Sequence, residues 1–467
     1  MMENNYRDML KTIFLAAAMF TAASLVSAQS PQPNIVVIMT DQQTANAMSC
    51  AGNTDLSTPA MDLLASNGTR FTRAYCPQPL CGPSRSSMLT GQYPHQLNAS
   101  INLPETNNYW ANMEVDLMGK VFKEQGYSTG YIGKWHLPVP VDEKEVHGFD
   151  LITNTKERDW QDASIPADCY DFIKQQSNDK PFLMVASFVN PHDICEWARR
   201  QSLRMEPIAE APAPAECPDV PANYAIPYGQ PDILKHIQSL SWRTYPTNDW
   251  DRDDWRQYRW AYYRLVERVD TYVGHVIHTL DKLGKLDNTV IFFLSDHGDG
   301  AGSHQWNQKQ VLYEESVNVP FIIADFRVKQ SGVNSSQLIN IGLDLIPTMC
   351  DYATIEQPAS MAGQSQKPYA LHPQASDENK VIVLETTFAN GKENYGISGR
   401  CIIHNNWKYI IYSKGEKREQ LFNLADDPGE MNDLIDHGDA QAIKKKLVSL
   451  LSQWGQANND PVVKNLY

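Results

Sequence analysis

The sequence has little of what binds polyanions. It contains 40 Lys and Arg against 55 Asp and Glu, which gives a formal net charge of −15. A protein of this charge repels nucleic acids and anionic lipid surfaces, so neither is expected as a partner. If the natural ligand is itself an anion, its site must be a local positive region within a negative protein.

Long apolar runs are also scarce. The run Thr12 to Ala28 is short and alanine-rich for a membrane span, and no stop-transfer pattern follows it. It predicts a signal peptide over residues 1–28, and therefore an exported protein, periplasmic or secreted, with no stable membrane anchor. Glu3 and Asp8 are unusual ahead of such a run, whereas translation from Met9 would give a conventional signal peptide.

Cysteine is sparse, with eight in 467 residues, and the eight lack the spacing of a disulfide scaffold or a structural zinc site. Cys195 and Cys217 flank a proline-rich segment, and we predict that they pair. Cys81 has different surroundings, in the stretch LCGPSRSSMLTGQYPH. Because Pro83 suits a first helical turn and Gly91 suits a helix end, Cys81 is predicted at a helix N-terminus, where free N–H groups favour negative charge.

Buried strands and helices alternate over most of the chain. The apolar runs are NIVVIM (34–39), FLMVASFV (182–189), TVIFFLS (289–295) and PFIIADF (320–326). One helical pattern begins at Pro59, with Thr58 as the predicted N-cap, and another covers Trp255 to Leu283. Their alternation with strands predicts an α/β fold with a mostly parallel sheet over residues 29–373. From about Gln374 apolar and polar residues alternate, which predicts a smaller α+β subdomain with an antiparallel sheet over residues 374–467.

Reactive side chains follow four of the predicted strands. They are Asp41 and Gln42, Lys134 and His136, His192, and Asp296 and His297. Each has an ordinary alternative as a cap, a turn former or a loop histidine, but ligands of open α/β sheets bind at the carboxyl edge of the strands. We therefore expect one site there, with oxygen ligands that suit Ca²⁺ or Mg²⁺ better than zinc.

The string C-x-P-x-R-x4-T-G, which runs from Cys81 to Gly91, resembles the signature of the type I, formylglycine-dependent sulfatases. NIVVIMTDQQ, GYIGKWHL, SDHGDGAGSHQWNQKQ and the C-terminal WKYIIY…LFNLADDPGEMNDL resemble further motifs of that family, so the resemblance covers nearly all of the chain after residue 28. It implies the alkaline-phosphatase-like fold, with a large mixed, mostly parallel sheet sandwiched by helices. Many members have two acids where this chain has Asp41-Gln42, and Asp-Asn where it has Asp296-His297.

The resemblance also implies a set of roles. Cys81 would be oxidised to formylglycine by a maturation enzyme, and a hydrated aldehyde can release a bound sulfate because it carries a second hydroxyl group. Arg85 and Lys134 would hold the formylglycine, His136 would be the base, and His192 with Lys309 would serve the leaving oxygen. The implied ligands of Ca²⁺, with Mg²⁺ as the alternative, are Asp41, Gln42, Cys81, Asp296 and His297. His304 would contact substrate.

The leading hypothesis is an exported hydrolase that removes sulfate from a sulfated carbohydrate of glycosaminoglycan or mucin type. The irregular segment Asp193 to Asp254 carries Arg199 and Arg200, which suit carboxylate or sulfate groups, and Trp197 and Trp242, which suit sugar faces. The alternatives are a phosphonate or phosphate monoesterase, an arylsulfatase or choline-sulfatase-like enzyme on the same scaffold, and a glycan-binding relative without activity.

Overall fold

The computed structural model describes residues 32–104, 115–153, 161–239, 247, 249–328, 330–390 and 393–466. The predicted signal peptide over residues 1–28 and Trp242 lie outside these ranges. Within them, no helix is both long enough and apolar enough to cross a bilayer.

An eight-stranded sheet occupies the centre of the fold, in the strand order β5-β4-β6-β1-β7-β8-β2-β9. Its strands are β1 (Asn34–Asp41), β2 (Thr69–Phe71), β4 (Ser128–Gly133), β5 (Leu151–Thr153), β6 (Phe182–Pro191), β7 (Thr289–Ser295), β8 (Phe321–Asp325) and β9 (Gly332–Asn334). The five strands from β5 to β7 are parallel, whereas β8 is antiparallel to both of its neighbours. The mixed, mostly parallel sheet predicted from the apolar runs is confirmed.

The helices follow the strands along the chain. They are α1 (Pro59–Ser66), α2 (Cys81–Thr90), α3 (Met118–Glu124), α4 (Lys144–His147), α5 (Ile165–Lys174), α6 (Ile194–Ala198), α7 (Asp232–Ser239), α8 (Arg252–Lys282), α9 (Glu314–Val317), α10 (Ile341–Ala353), α11 (Lys367–Leu371), α12 (Gln441–Ala457) and α13 (Pro461–Leu466). A short parallel pair is formed by β3 (Ala74–Tyr75), which precedes α2 in the chain, and β10 (Ile339–Asn340), which directly precedes α10.

Both faces of the large sheet are covered. Ile35 and Val37 of β1 pack into one apolar cluster together with residues of α2 and α10, and Val36 and Ile38 pack into a second cluster with residues of α8. Because consecutive side chains of a strand point to opposite faces, a continuous apolar run is what a strand buried on both faces requires.

The start of α1 differs in detail from the prediction. Thr58 precedes Pro59 as expected, but its side chain makes no capping bond. The first N–H groups of α1 are instead bonded to Asp270 of α8, which accepts from Ala60 N at 3.1 Å and Met61 N at 2.9 Å. A carboxylate from a distant helix thus replaces the local cap, and local sequence carries no sign of it.

The C-terminal region forms a four-stranded antiparallel sheet, as the alternation of residues predicted. Its strands are β11 (Val381–Asn390), β12 (Glu393–His404), β13 (Trp407–Tyr412) and β14 (Glu419–Asn423), in sequence order across the sheet. One face packs on α12 in a small cluster that includes Ile402 and Leu451, and the other contributes Ile403 and Ile410 to a main cluster. Residues Pro33–Tyr467 form one compact unit, so a domain boundary at residue 374 stays a prediction.

The predicted disulfide is wrong, because all eight cysteines, each within the described ranges, are free thiols. Cys195 lies on α6 with Sγ 3.4 Å from the Gln42 side-chain nitrogen, and Cys217 contacts the carbonyl oxygen of Pro212. Although Cys195 and Cys217 lie at the two ends of the proline-rich segment, the fold does not bring their sulfur atoms together.

Candidate active site

The parallel register of the central strands brings the reactive side chains to one edge of the sheet. β1 lies between β6 and β7, with Ile35 paired to Leu183 on one side and to Val290 on the other. Asp41, His192 and Asp296 therefore all lie at or just beyond the carboxyl ends of adjacent strands. This is the juxtaposition that the strand-end pattern predicted.

Cys81 is the first residue of α2 and is almost fully buried. Its Sγ lies 3.0 Å from Lys309 Nζ and 3.1 Å from His297 Nε2. Burial and Asp41 oppose ionisation of the thiol, but the charges of Lys309, Lys134 and His297 outweigh them, so the pKa of Cys81 lies well below its usual value. The side chain is therefore at an electropositive helix start, as expected.

Arg85 lies one helical turn beyond Cys81 and joins four strands of the sheet, through residues within them or directly after them. Its Nε donates to Asp296 Oδ2 at 2.8 Å, its Nη2 to Asp41 Oδ2 at 3.1 Å, and its Nη1 to the Lys134 carbonyl oxygen at 2.9 Å and Ser187 Oγ at 2.8 Å. A planar guanidinium can serve acceptors in several directions at once, which an ammonium cannot. Arg85 thus holds the two carboxylates at a set separation.

Lys134 follows β4 directly, and its Nζ lies 2.7 Å from Asp41 Oδ2. The strand ends in Gly133, which has a φ of +104°, and a Cβ at this position would lie only 2.0 Å from the Ser187 carbonyl oxygen. Both features exclude a side chain. The close approach lets Lys134 N donate to that same oxygen at 2.9 Å. Lys134 is thereby fixed at the sheet edge.

Two carboxylates, a sulfur and an imidazole converge on one point. Ligand atoms of Asp41, Cys81, Asp296 and His297, all buried, lie within 4.8 Å of one another. Burial opposes ionisation of Asp41, but Lys134 and the other cations hold its pKa well below the usual value, whereas burial and the neighbouring Asp41 raise the pKa of Asp296. A cation placed between the two carboxylates would relieve this repulsion.

The orientation of His297 also fits a metal ligand. Its Nδ1 lies 2.9 Å from the Gly298 carbonyl oxygen. Because a carbonyl can only accept, Nδ1 carries the proton and Nε2 faces the cluster. The four donors of this cluster thus fit a divalent cation.

His136 and His192 both interact with the Cys81 side chain. Burial lowers the pKa of His136 and, together with the charges of Lys309 and Lys134, holds that of His192 well below its usual value. Two imidazoles kept neutral next to the Cys81 sulfur are able to accept a proton at that position.

His304 has different neighbours from the other predicted site residues. Its ring stacks on Tyr313, with centroids 4.1 Å apart, and its Nε2 lies 3.4 Å from Asn223 Nδ2. Burial is the main reason that its pKa is lowered to about 4. Its predicted role in substrate contact stays a prediction.

Arg199 and Arg200 are exposed at the end of α6. Arg200 lines a cavity of about 710 Å³ together with Trp197 and Trp250, whose rings meet edge to face at 6.3 Å. Arg199 instead lies 3.8 Å from Glu196. Of these two neighbouring arginines, Arg200 lines the cavity and Arg199 does not.

Two residues of the site were missed. Ser187 accepts from Arg85, and it is a polar residue within the otherwise apolar run FLMVASFV, a pattern that could have identified it. Asp299 accepts from the Gln42 amide at 2.7 Å, and its position three residues after Asp296 was the available indication.

Comparison with known proteins gives consistent matches. Residues 33–355 match the family described as Sulfatase, and residues 302–457 match the family described as N-sulphoglucosamine sulphohydrolase, C-terminal. The chain is 30% identical to a Delta 4,5-hexuronate-2-O-sulfatase of Bacteroides thetaiotaomicron over 86% of this chain and 84% of the relative. It is 27% identical to an N-acetylglucosamine-6-O-sulfatase of the same organism over 96% of this chain and 92% of the relative. Among solved structures, a 2-O GAG sulfatase superposes with a TM-score of 0.79 at 26% identity, covering 92% of this chain and 93% of the other.

Proposed function

The chain belongs to the sulfatase family, and from that premise we propose that it is an exported enzyme that removes sulfate from a glycosaminoglycan- or mucin-type carbohydrate through a formylglycine at position 81 and bound Ca²⁺. The observation that carries the proposal is the buried cluster in which Cys81 meets Lys309, His297 and Asp41. A hydrolase of sulfate esters needs a nucleophile and positive charge at the same point, and this cluster has both.

Formylglycine and Ca²⁺ would each supply one element of the chemistry. A hydrated aldehyde at position 81 would offer a hydroxyl nucleophile with a second hydroxyl for release of sulfate. Ca²⁺, held by Asp41, Gln42, Asp296 and His297 with the residue at position 81, would act as a Lewis acid towards a sulfate oxygen.

Lys309 would contact the sulfate group, while Lys134 and Arg85 would hold the residue at position 81 and spread positive charge around it. Lys309 Nζ lies at the Cys81 sulfur, and Lys134 and Arg85 both bond to Asp41. In a water-poor site, fixed positive groups of this kind stabilise charge that develops on the oxygens. They are also the local positive region that the net charge of −15 requires for an anionic substrate.

These two partly buried imidazoles, His136 and His192, would divide the proton transfers. His136 would accept a proton from the residue at position 81, and His192 would donate one to the leaving oxygen, with help from Lys309. The support for this assignment is that both rings interact with the Cys81 side chain and that the lowered pKa of His136 keeps this ring neutral and able to accept a proton.

The carbohydrate would extend towards α6. This helix begins two residues after His192 and is five residues long, so its end lies roughly 8 Å further along the helix axis. There the indoles of Trp197 and Trp250 and the guanidinium of Arg200 line the cavity of about 710 Å³. Aromatic rings and arginine suit sugar faces and acidic groups, and we propose that a terminal sulfated sugar is attacked while the rest of the chain lies over this cavity.

Turnover of matched esters tests the reaction. We expect aryl sulfate to be hydrolysed in preference to aryl phosphate and aryl phosphonate, and preference for either of the latter would replace the proposal with a phosphate or phosphonate monoesterase. A panel of sulfated oligosaccharides, with desulfation followed by chromatography, identifies the sugar. Attack on internal sulfates of long polymers but not on short oligosaccharides would contradict action at a chain end.

Mass spectrometry tests the nucleophile and the export of the protein. The peptide Ala74 to Arg85 is expected to carry formylglycine in place of Cys81, and fully active enzyme with an unmodified thiol would refute the mechanism. The mature protein is expected to begin at Gln29 and to be found in the periplasm or the medium.

A further inference from the structure

We infer that Asp299 is a positioning residue, which with Tyr258 holds the side-chain amide of Gln42 so that its carbonyl oxygen points into the Cys81 pocket. The inference rests on the proposed function, because it assigns these two residues to the sulfatase site. None of the hydrogen bonds described below joins Asp299 or Tyr258 directly to Cys81.

The orientation of the Gln42 amide is determined by its two neighbours. Nε2 lies 2.7 Å from Asp299 Oδ2, and Oε1 lies 3.0 Å from Lys309 Nζ. If the amide were flipped, its oxygen would face a carboxylate and its NH₂ group would face an ammonium. Only the observed orientation avoids both repulsions, and it directs the oxygen to Lys309, whose Nζ also lies 3.0 Å from Cys81 Sγ.

Asp299 is itself held from several sides. It is fully buried, Tyr258 Oη lies 3.0 Å from both of its carboxylate oxygens, and it accepts from Ala301 N at 2.7 Å and Gln308 N at 3.2 Å. Gln308 directly precedes Lys309. One carboxylate therefore fixes both the amide of Gln42 and the loop that carries the lysine bonded to it.

The hydrogen-bond partners of Asp299 named above are all donors, and its carboxylate is the acceptor. An asparagine at this position would therefore direct its NH₂ group at a donor in either orientation of its amide. A glutamate at position 42 would in turn place a carboxylate against Asp299. The combination of the two substitutions restores a donor and an acceptor between positions 42 and 299, with the hydrogen bond reversed, and leaves an oxygen of residue 42 facing Lys309. Gln308 N then still faces the NH₂ group of Asn at position 299, so recovery is expected to be incomplete.

The test is a double-mutant cycle with Asp299→Asn, Gln42→Glu and the two together, in full-length protein assayed on an aryl sulfate. Each single variant is expected to lose roughly 10- to 100-fold in kcat, because a buried donor or charge is left unpaired. The double variant is expected to recover to within about tenfold of the wild type, and its recovery over both single variants is the result that a general structural role does not produce. Rates are normalised to the formylglycine content at position 81, measured by mass spectrometry.

The matched control is Asp270→Asn, which removes a buried carboxylate with two backbone donors at the start of α1. It is expected to lower the melting temperature and to leave kcat unchanged while the protein is folded. A double variant no better than the worse single variant would overturn the inference, as would wild-type kcat in Asp299→Asn or a loss that follows the folded fraction alone.

Two readouts separate this inference from the proposed function. Melting temperature and Ca²⁺ affinity, the latter by calorimetry on metal-free protein, are measured for all members of the cycle and need no turnover. If the wild type hydrolyses no sulfate ester, the proposed function fails, and these two readouts decide the inference. Recovery in the double variant then supports the positioning role of Asp299, and purely additive losses overturn it.

Discussion

Replacement of Arg85 by lysine separates the geometry of the guanidinium from its charge. Arg85 serves four acceptors from three nitrogen atoms, at distances between 2.8 and 3.1 Å. A lysine keeps the positive charge, but its side chain is shorter and has a single donor nitrogen, so it can bond to only some of the four acceptors. Two hydrogen bonds lost from buried charged or polar partners predict a loss of about 3 kcal/mol in the free energy of unfolding.

The same variant is expected to lose activity beyond its loss of stability. Asp41 and Asp296 are both held by the guanidinium, so their separation relaxes when it is replaced. A misplaced pair of metal ligands that costs about 2.7 kcal/mol in the transition state lowers kcat by about 100-fold. The assay is kcat on an aryl sulfate at a temperature where the variant is folded, with unfolding followed in guanidinium chloride.

Arg400→Lys is the matched control. Arg400 is also buried, with Nη2 2.6 Å from Asp460 Oδ2 and 3.6 Å from a carboxylate oxygen of Glu385, but it lies in the C-terminal sheet. It is expected to lose similar stability with unchanged kcat. Wild-type stability and turnover in Arg85→Lys would refute the reasoning, and an equal loss of kcat in Arg400→Lys would show that destabilisation alone accounts for it.

Four further predictions concern the metal ligand Asp296, the strand end at Gly133, the charge of His95, and the two arginines at the end of α6. Asp296→Ala removes a charged ligand and is expected to abolish turnover and reduce Ca²⁺ below stoichiometric content by elemental analysis; retained calcium would contradict the assignment. Gly133→Ala places a Cβ 2.0 Å from the Ser187 carbonyl oxygen, so we expect kcat to fall at least tenfold or soluble protein to be lost. Gly126→Ala is the control, because Gly126 also has a positive φ but a Cβ there would have no atom within 4 Å. Burial opposes protonation of His95, but Glu385 raises the pKa of this histidine above the ordinary 6.5. The stabilisation from its positive charge is therefore complete below pH 6.5 and is lost as the pH rises through the higher pKa of the folded state. His95→Gln is expected to lower the melting temperature most below about pH 6, and an equal shift at all pH values would contradict this. Arg199→Ala with Arg200→Ala is expected to raise KM several-fold for sulfated oligosaccharides and not for a small aryl sulfate, with equal losses on both indicating damage to folding.

The sequence was most informative where one local pattern has one structural outcome. The run Thr289–Ser295 matches β7 residue for residue, because a short apolar run rich in β-branched and aromatic residues is typical of a strand buried on both faces. The start of α2 at Cys81 and its end before Gly91 follow from Pro83 and from the positive φ of that glycine. Which strand of the mixed sheet is antiparallel could not, in contrast, be assigned to β8 from the sequence, since an apolar run carries no direction.

By itself the sequence determined that Asp41, Lys134, His192 and Asp296 meet at one sheet edge, because parallel strands have their carboxyl ends on the same side. It determined the family through Cys81 and Arg85, whose spacing is a property of the chain. Only the tertiary structure decided what each group touches: that His304 stacks on Tyr313, that Cys195 faces Gln42 instead of Cys217, and that Asp299 orients the Gln42 amide. These contacts join residues far apart in the chain or depend on side-chain direction, and the packing of several elements together sets both.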